Sequence, residues 1–283
     1  MSHLLKNDSA VFLSNGSALH LRDRMNWDIV TLPVPGGVPI YTTGMLLDRE
    51  RRRLFVGTYP TGKIIVYNAD TLEIDTVIDL NGRGFTDIRL DEASNRYLMF
   101  STFSGFYPID RDTLGIGELI PGGGSRSFEL DRDRNQVITA DFTGALCILG
   151  LPDFNMKYRF YSSLTTVVRK IKADPMNPEE FYIITTNGPL IKLNAATLAL
   201  RTINLPYGIY DIAFDPSPES NRIYASGYSD GGGLSAFDAN TWALLSNNLG
   251  AQDTFIAFDN SPDRVRYFIA GGYLPKALTK IKI

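Results

Sequence analysis

Apolar residues along this chain fall in short runs, broken by Gly, Asp, Asn, Pro or Ser, and no segment sustains the 3.6-residue period of an amphipathic helix. Between residues 44 and 80 the runs cover Met45 to Leu47, Leu54 to Thr58, Lys63 to Tyr67 and Ile74 to Leu80. They are separated by "DRERRR", "YPTG" and "NADTLE". Short apolar or alternating runs bounded by turn-forming residues predict four antiparallel strands joined as a meander.

The pattern recurs along the whole chain. Residues 86–120, 127–160 and the stretches that begin at 169, 210 and 254 repeat it, and the opening segment 2–32 fits the same frame. An aspartate closes the first run in six of the repeats: Asp48, Asp91, Asp131, Asp174, Asp215 and Asp259, with Lys6 at that place in the opening one. Successive markers lie 40 to 44 residues apart. One such sheet cannot bury both of its faces, whereas sheets arranged radially pack face to face. The expectation is all-β: one domain over residues 1–283, a seven-bladed β-propeller of four-stranded antiparallel blades. The last repeat, ending in "ALTKIKI", supplies only three strands, so the final blade is expected to lack its outer strand. Such an edge invites strand addition from a partner chain.

The segment "LFVGTYPTGKIIVYNADTLEI" resembles the repeat of the YVTN and WD40-like propeller superfamily, in which a strand, a glycine turn, a second strand and an Asp or Asn turn recur. The resemblance spans the chain and implies the fold alone. The Gly-His and Trp-Asp signatures of WD40 blades do not recur from repeat to repeat.

The frame separates architecture from chemistry. Residues present in most repeats are assigned to turns: the marker aspartates bind nearby backbone N–H groups, and Asn68, Asp110, Asn194 and Asp238 cap the turn between third and fourth strands. "GTYPTGK" (57–63) has the spacing of a phosphate-binding loop. Its counterparts "STFSGF" and "ADFTGA" make it a β-hairpin turn with strands on both sides, where Gly62 supplies positive φ.

Composition removes several function classes. The 283 residues carry a net charge of −3, which provides no general attraction for nucleic acid or an anionic membrane; the basic run Arg49 to Arg53 reads as a solvated turn. The single Cys147 excludes an internal disulfide framework and a cysteine-cluster metal site. His3 and His20 are too few for a multi-histidine centre, and there is no H-E-x-x-H. "DRDRN" at 131–135 begins like a calcium loop but has Gln136 where glycine is required. No signal segment or membrane span is evident, so the expected location is the cytoplasm or a virion. No cofactor or metal is expected.

Two sets of residues remain as binding candidates. Polar positions between apolar ones in the first strands, Asp87, Arg89, Glu129, Lys170, Lys172 and Asp211, are expected near a central channel, either paired with one another or holding a polar ligand. An aromatic recurs where second and third strands meet, as Tyr59, Phe103, Phe142, Tyr228 and Tyr273, with Arg83 and Arg126 in glycine-rich connections on the same expected face. Such residues either pack against a neighbouring blade or form a partner surface, with stacking on carbohydrate as a lesser form. The functional expectation is a non-enzymatic interaction scaffold, a structural or binding subunit of a larger assembly such as a virion or phage tail. The alternative is a lactonase-like hydrolase acting at the channel, since "VGTYPTG" is similar to the opening strand of phosphogluconolactonase-like enzymes.

Overall fold

The computed structural model describes residues 5–6, 10–14, 19–23, 29–35, 41–59, 61–81, 85–101, 105–121, 127–140, 144–160, 167–186, 188–215, 220–227, 233–247, 255–259, 267–271 and 278–282. Side chains are described only between residues 32 and 247. The chain divides into two compact units, Met1–Ser127 with Pro152–Phe154, and Phe128–Leu151 with Asn155–Ile283.

The first unit contains three antiparallel sheets in chain order. The first sheet comprises β1 (Leu5–Lys6), β2 (Ala10–Ser14), β3 (Leu19–Asp23) and β4 (Ile29–Thr31). The second comprises β5 (Tyr41–Asp48), β6 (Arg53–Tyr59), β7 (Lys63–Asn68) and β8 (Ile74–Asp79). These contain the four predicted runs of the second repeat. The third comprises only β9 (Phe85–Asp91), β10 (Arg96–Ser101) and β11 (Gly105–Asp110).

The fourth strand expected in the third repeat is reduced to two isolated bridges, Phe106 with Ile120 and Ile109 with Ile116. Pro108 is the physical reason. It has no N–H to donate to an outer strand, so only its carbonyl is used, by the Gly117 N–H at 2.8 Å. Between the second and third sheets lies a core of Phe55, Ile64, Val66, Ile88, Leu90, Tyr97 and Ile109, to which β9 contributes its alternate apolar residues Ile88 and Leu90.

The second unit contains four sheets. Their strands are β12 (Glu129–Asp131), β13 (Gln136–Ala140), β14 (Leu146–Gly150) and β15 (Asn155–Phe160); then β16 (Val168–Ala173), β17 (Glu180–Thr185), β18 (Leu190–Asn194) and β19 (Leu200–Ile203). There follow β20 (Ile209–Phe214), β21 (Arg222–Gly227), β22 (Leu234–Asp238) and β23 (Leu244–Ser246), and a last sheet of β24 (Phe255–Asp259), β25 (Tyr267–Gly271) and β26 (Leu278–Lys282). In the β12–β15 sheet burial ends at the last strand. Every residue of β14 is buried, while β15 is exposed along nearly its whole length. Tyr182, Ile184, Ile212, Ile223, Phe237 and Trp242 form the core shared by the β16–β19 and β20–β23 sheets.

Two turn types hold the repeats in register. After the third strand, the side-chain oxygen of Asn68, Asp110, Asn194 or Asp238 accepts the backbone N–H groups two and three residues on, at 2.7 to 3.1 Å. The next residue, Leu72, Leu114, Leu198 or Trp242, sits at φ between 60° and 63°. Bulky side chains rarely take this left-handed conformation, and here Trp242 is repaid by packing 5.5 Å from the Tyr182 ring and 6.0 Å from Phe237.

Gly62 has φ 64°, and its counterparts Gly105 and Gly144 are also positive. The Thr58 hydroxyl donates to the Lys63 carbonyl across this turn, at 2.8 Å, so "GTYPTGK" closes a hairpin and presents no helix terminus to a phosphate. No helix among the described residues is long and apolar enough to cross a membrane.

Candidate functional site

The marker aspartates define the chemistry at the end of each first strand. Asp48 closes β5 and is 1% exposed. Its Oδ1 accepts the Arg51 N–H (3.1 Å) and Arg111 Nη2 (2.9 Å), and its Oδ2 accepts the Tyr97 hydroxyl (2.7 Å) and Arg111 Nε (2.8 Å). Tyr97 and Arg111 belong to the following sheet, so the two sheets are locked by a bidentate pair that loses little to solvent. Burial alone would raise the Asp48 carboxyl. The donors, led by the Arg111 guanidinium, outweigh it and hold the carboxyl at about 2.

Arg111 reaches this seat from a position that recurs. It follows the capping residue Asp110, and its N–H is bound by the Asn95 carbonyl. The same hydrogen bond fixes Ala69 to Arg52, Leu151 to Asn135, Ala195 to Glu179 and Ala239 to Asn221. Among these five described residues Arg111 alone is charged. Asp131 is satisfied from within its own sheet, by Arg134 and by Gln136 Nε2 at 2.8 Å.

Asp174 is different. It follows β16 and lies opposite Glu180, to whose carbonyl its N–H donates at 2.8 Å. The neighbouring sheet places Ile223 and Ala239 where the third sheet places Tyr97 and Arg111. Neither can reach a carboxylate. What remains is a cavity of about 220 Å³, lined among others by Asp174, Glu180, Tyr182, Lys192, Asp215 and Arg222. The Met176 N–H donates to Asp174 Oδ1 (2.9 Å), and no ion pair with Asp174 occurs among the described residues. Burial, helped by the Glu180 charge, pushes the Asp174 carboxyl above its ordinary value. Lys192 is taken by Glu180 and lies 5.5 Å over the Tyr182 ring.

The polar candidates from the first strands are engaged inside the fold. Arg89 pairs with buried Asp87, which also accepts the Ser127 hydroxyl at 3.1 Å. Glu129 accepts the Leu130 N–H at 3.0 Å. Lys170 and Lys172 each lie 2.7 Å from one of the two oxygens of Asp211. Against the pull of burial, their charges hold that carboxyl below its ordinary range. Two arginines of the basic run are paired, Arg51 with Glu50 and Asp112, and Arg52 with Asp70. Among the aromatic candidates, Tyr59 ends β6, with its side chain outside the described ones. Phe103, Phe142, Tyr228, Tyr273, Arg83 and Arg126 lie outside the described residues.

Sequence reasoning missed the Asp48 interlock and the Asp174 cavity. The available signal was an arginine after Asp110 where Asn68, Asn194 and Asp238 are each followed by alanine. Among the described residues no group of three or more His, Cys, Asp or Glu is placed to hold a metal ion.

No protein-family model matches the chain, and no curated protein matches it. Solved structures do. The β-propeller domain of Cps50 (Swd1) from Myceliophteria thermophila superposes with a TM-score of 0.74 at 11% identity, over 95% of each chain. The fold is that of a β-propeller. A chain of a mitotic checkpoint complex matches this propeller with a TM-score of 0.80 at 12% identity, over 97% of this chain and 84% of that one. The computationally designed Ika8 protein matches at 0.69 and 14% identity, over 99% and 82%. Identities this low speak for the fold alone.

Proposed function

We propose that this propeller is a non-enzymatic interaction scaffold, a structural or binding subunit of a larger assembly. The observation that carries the reading is the internal commitment of its charged groups. Arg89 is held by Asp87, and Lys172 shares Asp211 with Lys170, so the residues that a channel hydrolase would use for proton transfer serve as ion pairs. A chain of the same fold within a checkpoint complex supports an assembly role. The partner face of this reading consists of Tyr59, Phe103, Phe142, Tyr228 and Tyr273 with Arg83 and Arg126, large rings and guanidinium groups of the kind that anchor interfaces. A strand added along β26, or a sugar stacked on these rings, is a finer form of the same role, as is membership of a virion or tail.

Co-purification from the source organism tests the proposal. The Tyr59→Ala, Phe103→Ala, Phe142→Ala variant, folded by circular dichroism, is expected to lose a partner that the parent protein retains. Saturable lactone hydrolysis abolished by Lys172→Met would replace the scaffold with the hydrolase. Capsid or tail genes beside this one would support the finer assignment, and sugar-metabolism genes would oppose it.

A further inference from the structure

We propose that the cavity at Asp174 is the seat for an arginine side chain donated by a partner protein, an inference that rests on the scaffold reading and adds its chemistry. The precedent lies in the same chain. At Asp48, Arg111 places Nε and Nη2 on the two carboxylate oxygens while a backbone N–H also binds Oδ1. At Asp174 the backbone N–H is present on Oδ1, from Met176, and the guanidinium is missing because the equivalent residue is Ala239.

The space left behind is a real cavity. Its volume of about 220 Å³ is far above the roughly 10–15 Å³ that a single water needs. Its walls suit a guanidinium. Asp174, Glu180 and Asp215 give three carboxylates against two cations, Lys192 and Arg222. Lys192 is occupied by Glu180. Arg222, exposed on the rim, makes no ion pair among the described residues and is the internal competitor for the seat. Burial raises the half-buried Asp174 carboxyl although the Met176 and Asn177 N–H groups and the Lys192 charge draw it down, the opposite outcome to Asp48. Arginine is favoured over lysine because its fork can engage both oxygens of one carboxylate, as Arg111 does.

The probe is Nα-acetyl-arginine amide, titrated into the full chain and followed by calorimetry and by NMR shifts of residues around Asp174. One saturable site is expected. Nα-acetyl-lysine amide and Nα-acetyl-citrulline amide, and the Asp174→Asn variant with the original probe, are expected to bind about tenfold more weakly or worse. Ala239→Arg is expected to raise the thermal midpoint and abolish probe binding by filling the seat from within, while Arg222→Ala keeps or strengthens it. Absence of saturable binding in both the parent and Arg222→Ala, or undiminished binding in Asp174→Asn, overturns the proposal. Equal binding of the lysine probe overturns the choice of arginine. Should Ala239→Arg fail to fold, Asp174→Asn decides. Failure of the probe with a partner still co-purifying leaves the scaffold standing without this seat. Probe binding in a protein that hydrolyses lactones sinks the scaffold and keeps the seat.

Discussion

Arg111→Met removes the guanidinium from Asp48 while keeping an unbranched side chain in its place. Asp48 stays buried, with the Tyr97 hydroxyl and the Arg51 N–H as its remaining donors. Removing one partner of a buried pair costs about 3–5 kcal/mol, because a charge is left uncompensated. An independent figure comes from the carboxyl itself. Its depression from 3.8 to about 2 corresponds to about 2 kcal/mol at roughly 1.4 kcal/mol per unit. The sign follows from linkage. A carboxyl lowered on folding adds stability that is fully present above 3.8 and is lost as pH falls through 3.8 toward 2. Urea unfolding followed by far-ultraviolet circular dichroism is the assay, on the parent, Arg111→Met, Asp48→Asn and the double variant, at neutral pH and in steps down to about pH 2. A coupling near 2 kcal/mol or more is expected, together with disappearance of the Asp48-linked acid loss in Arg111→Met. Additivity within about 0.5 kcal/mol, or an unchanged acid profile, would refute the interlock.

Other expectations concern the turns and the second buried charge. A Cβ on Gly117 would lie 2.9 Å from Pro108 Cγ. Gly117→Ala should therefore cost about 1–3 kcal/mol, and less in a Pro108→Ala background, by thermal or urea unfolding. Asn135 sits at φ 50°. Asn135→Val should cost about 1–2 kcal/mol, whereas Asn135→Gly should change stability far less; equal losses would show that side-chain bonding, not backbone strain, governs this turn. Asp211→Asn should destabilise by about 3–5 kcal/mol, since two lysines lose one carboxylate, while Lys170→Met costs less because Lys172 still compensates the charge.

The fold was legible because its signals are local and repeated. Apolar runs, Asx turns and the marker aspartates each report on a few neighbouring residues, and repetition averages out the exceptions. The shortened third sheet was not foreseen, although Pro108 stands in the run that became β11, because its effect falls on the strand beside it. The left-handed Leu72, Leu114, Leu198 and Trp242 were equally hidden, since burial, not backbone preference, stabilises them there. The site was the least legible part. Arg111 and Asp48 are 63 residues apart, and in sequence Arg111 is one more charge in "DRDT". Only its alignment with Ala69, Ala195 and Ala239 marks it. The paired state of Arg89 and Lys172 was one of two open readings, because their spacing does not reveal which carboxylate each will meet.

The Asp48 interlock has a consequence for how such a chain can evolve or be re-engineered. Propeller genes change length by gaining or losing whole repeats, which is harmless when every junction is alike. Here the junction between the second and third repeats is keyed: one side carries the carboxylate and the other the arginine and the tyrosine. An extra repeat inserted between them, or a circular shuffle that follows the second repeat with one bearing Ala at Arg111's position, would strand a charge in the core and select against the product. The repeats share a frame without being interchangeable parts, and any redesign that permutes them must carry Asp48, Tyr97 and Arg111 as a set.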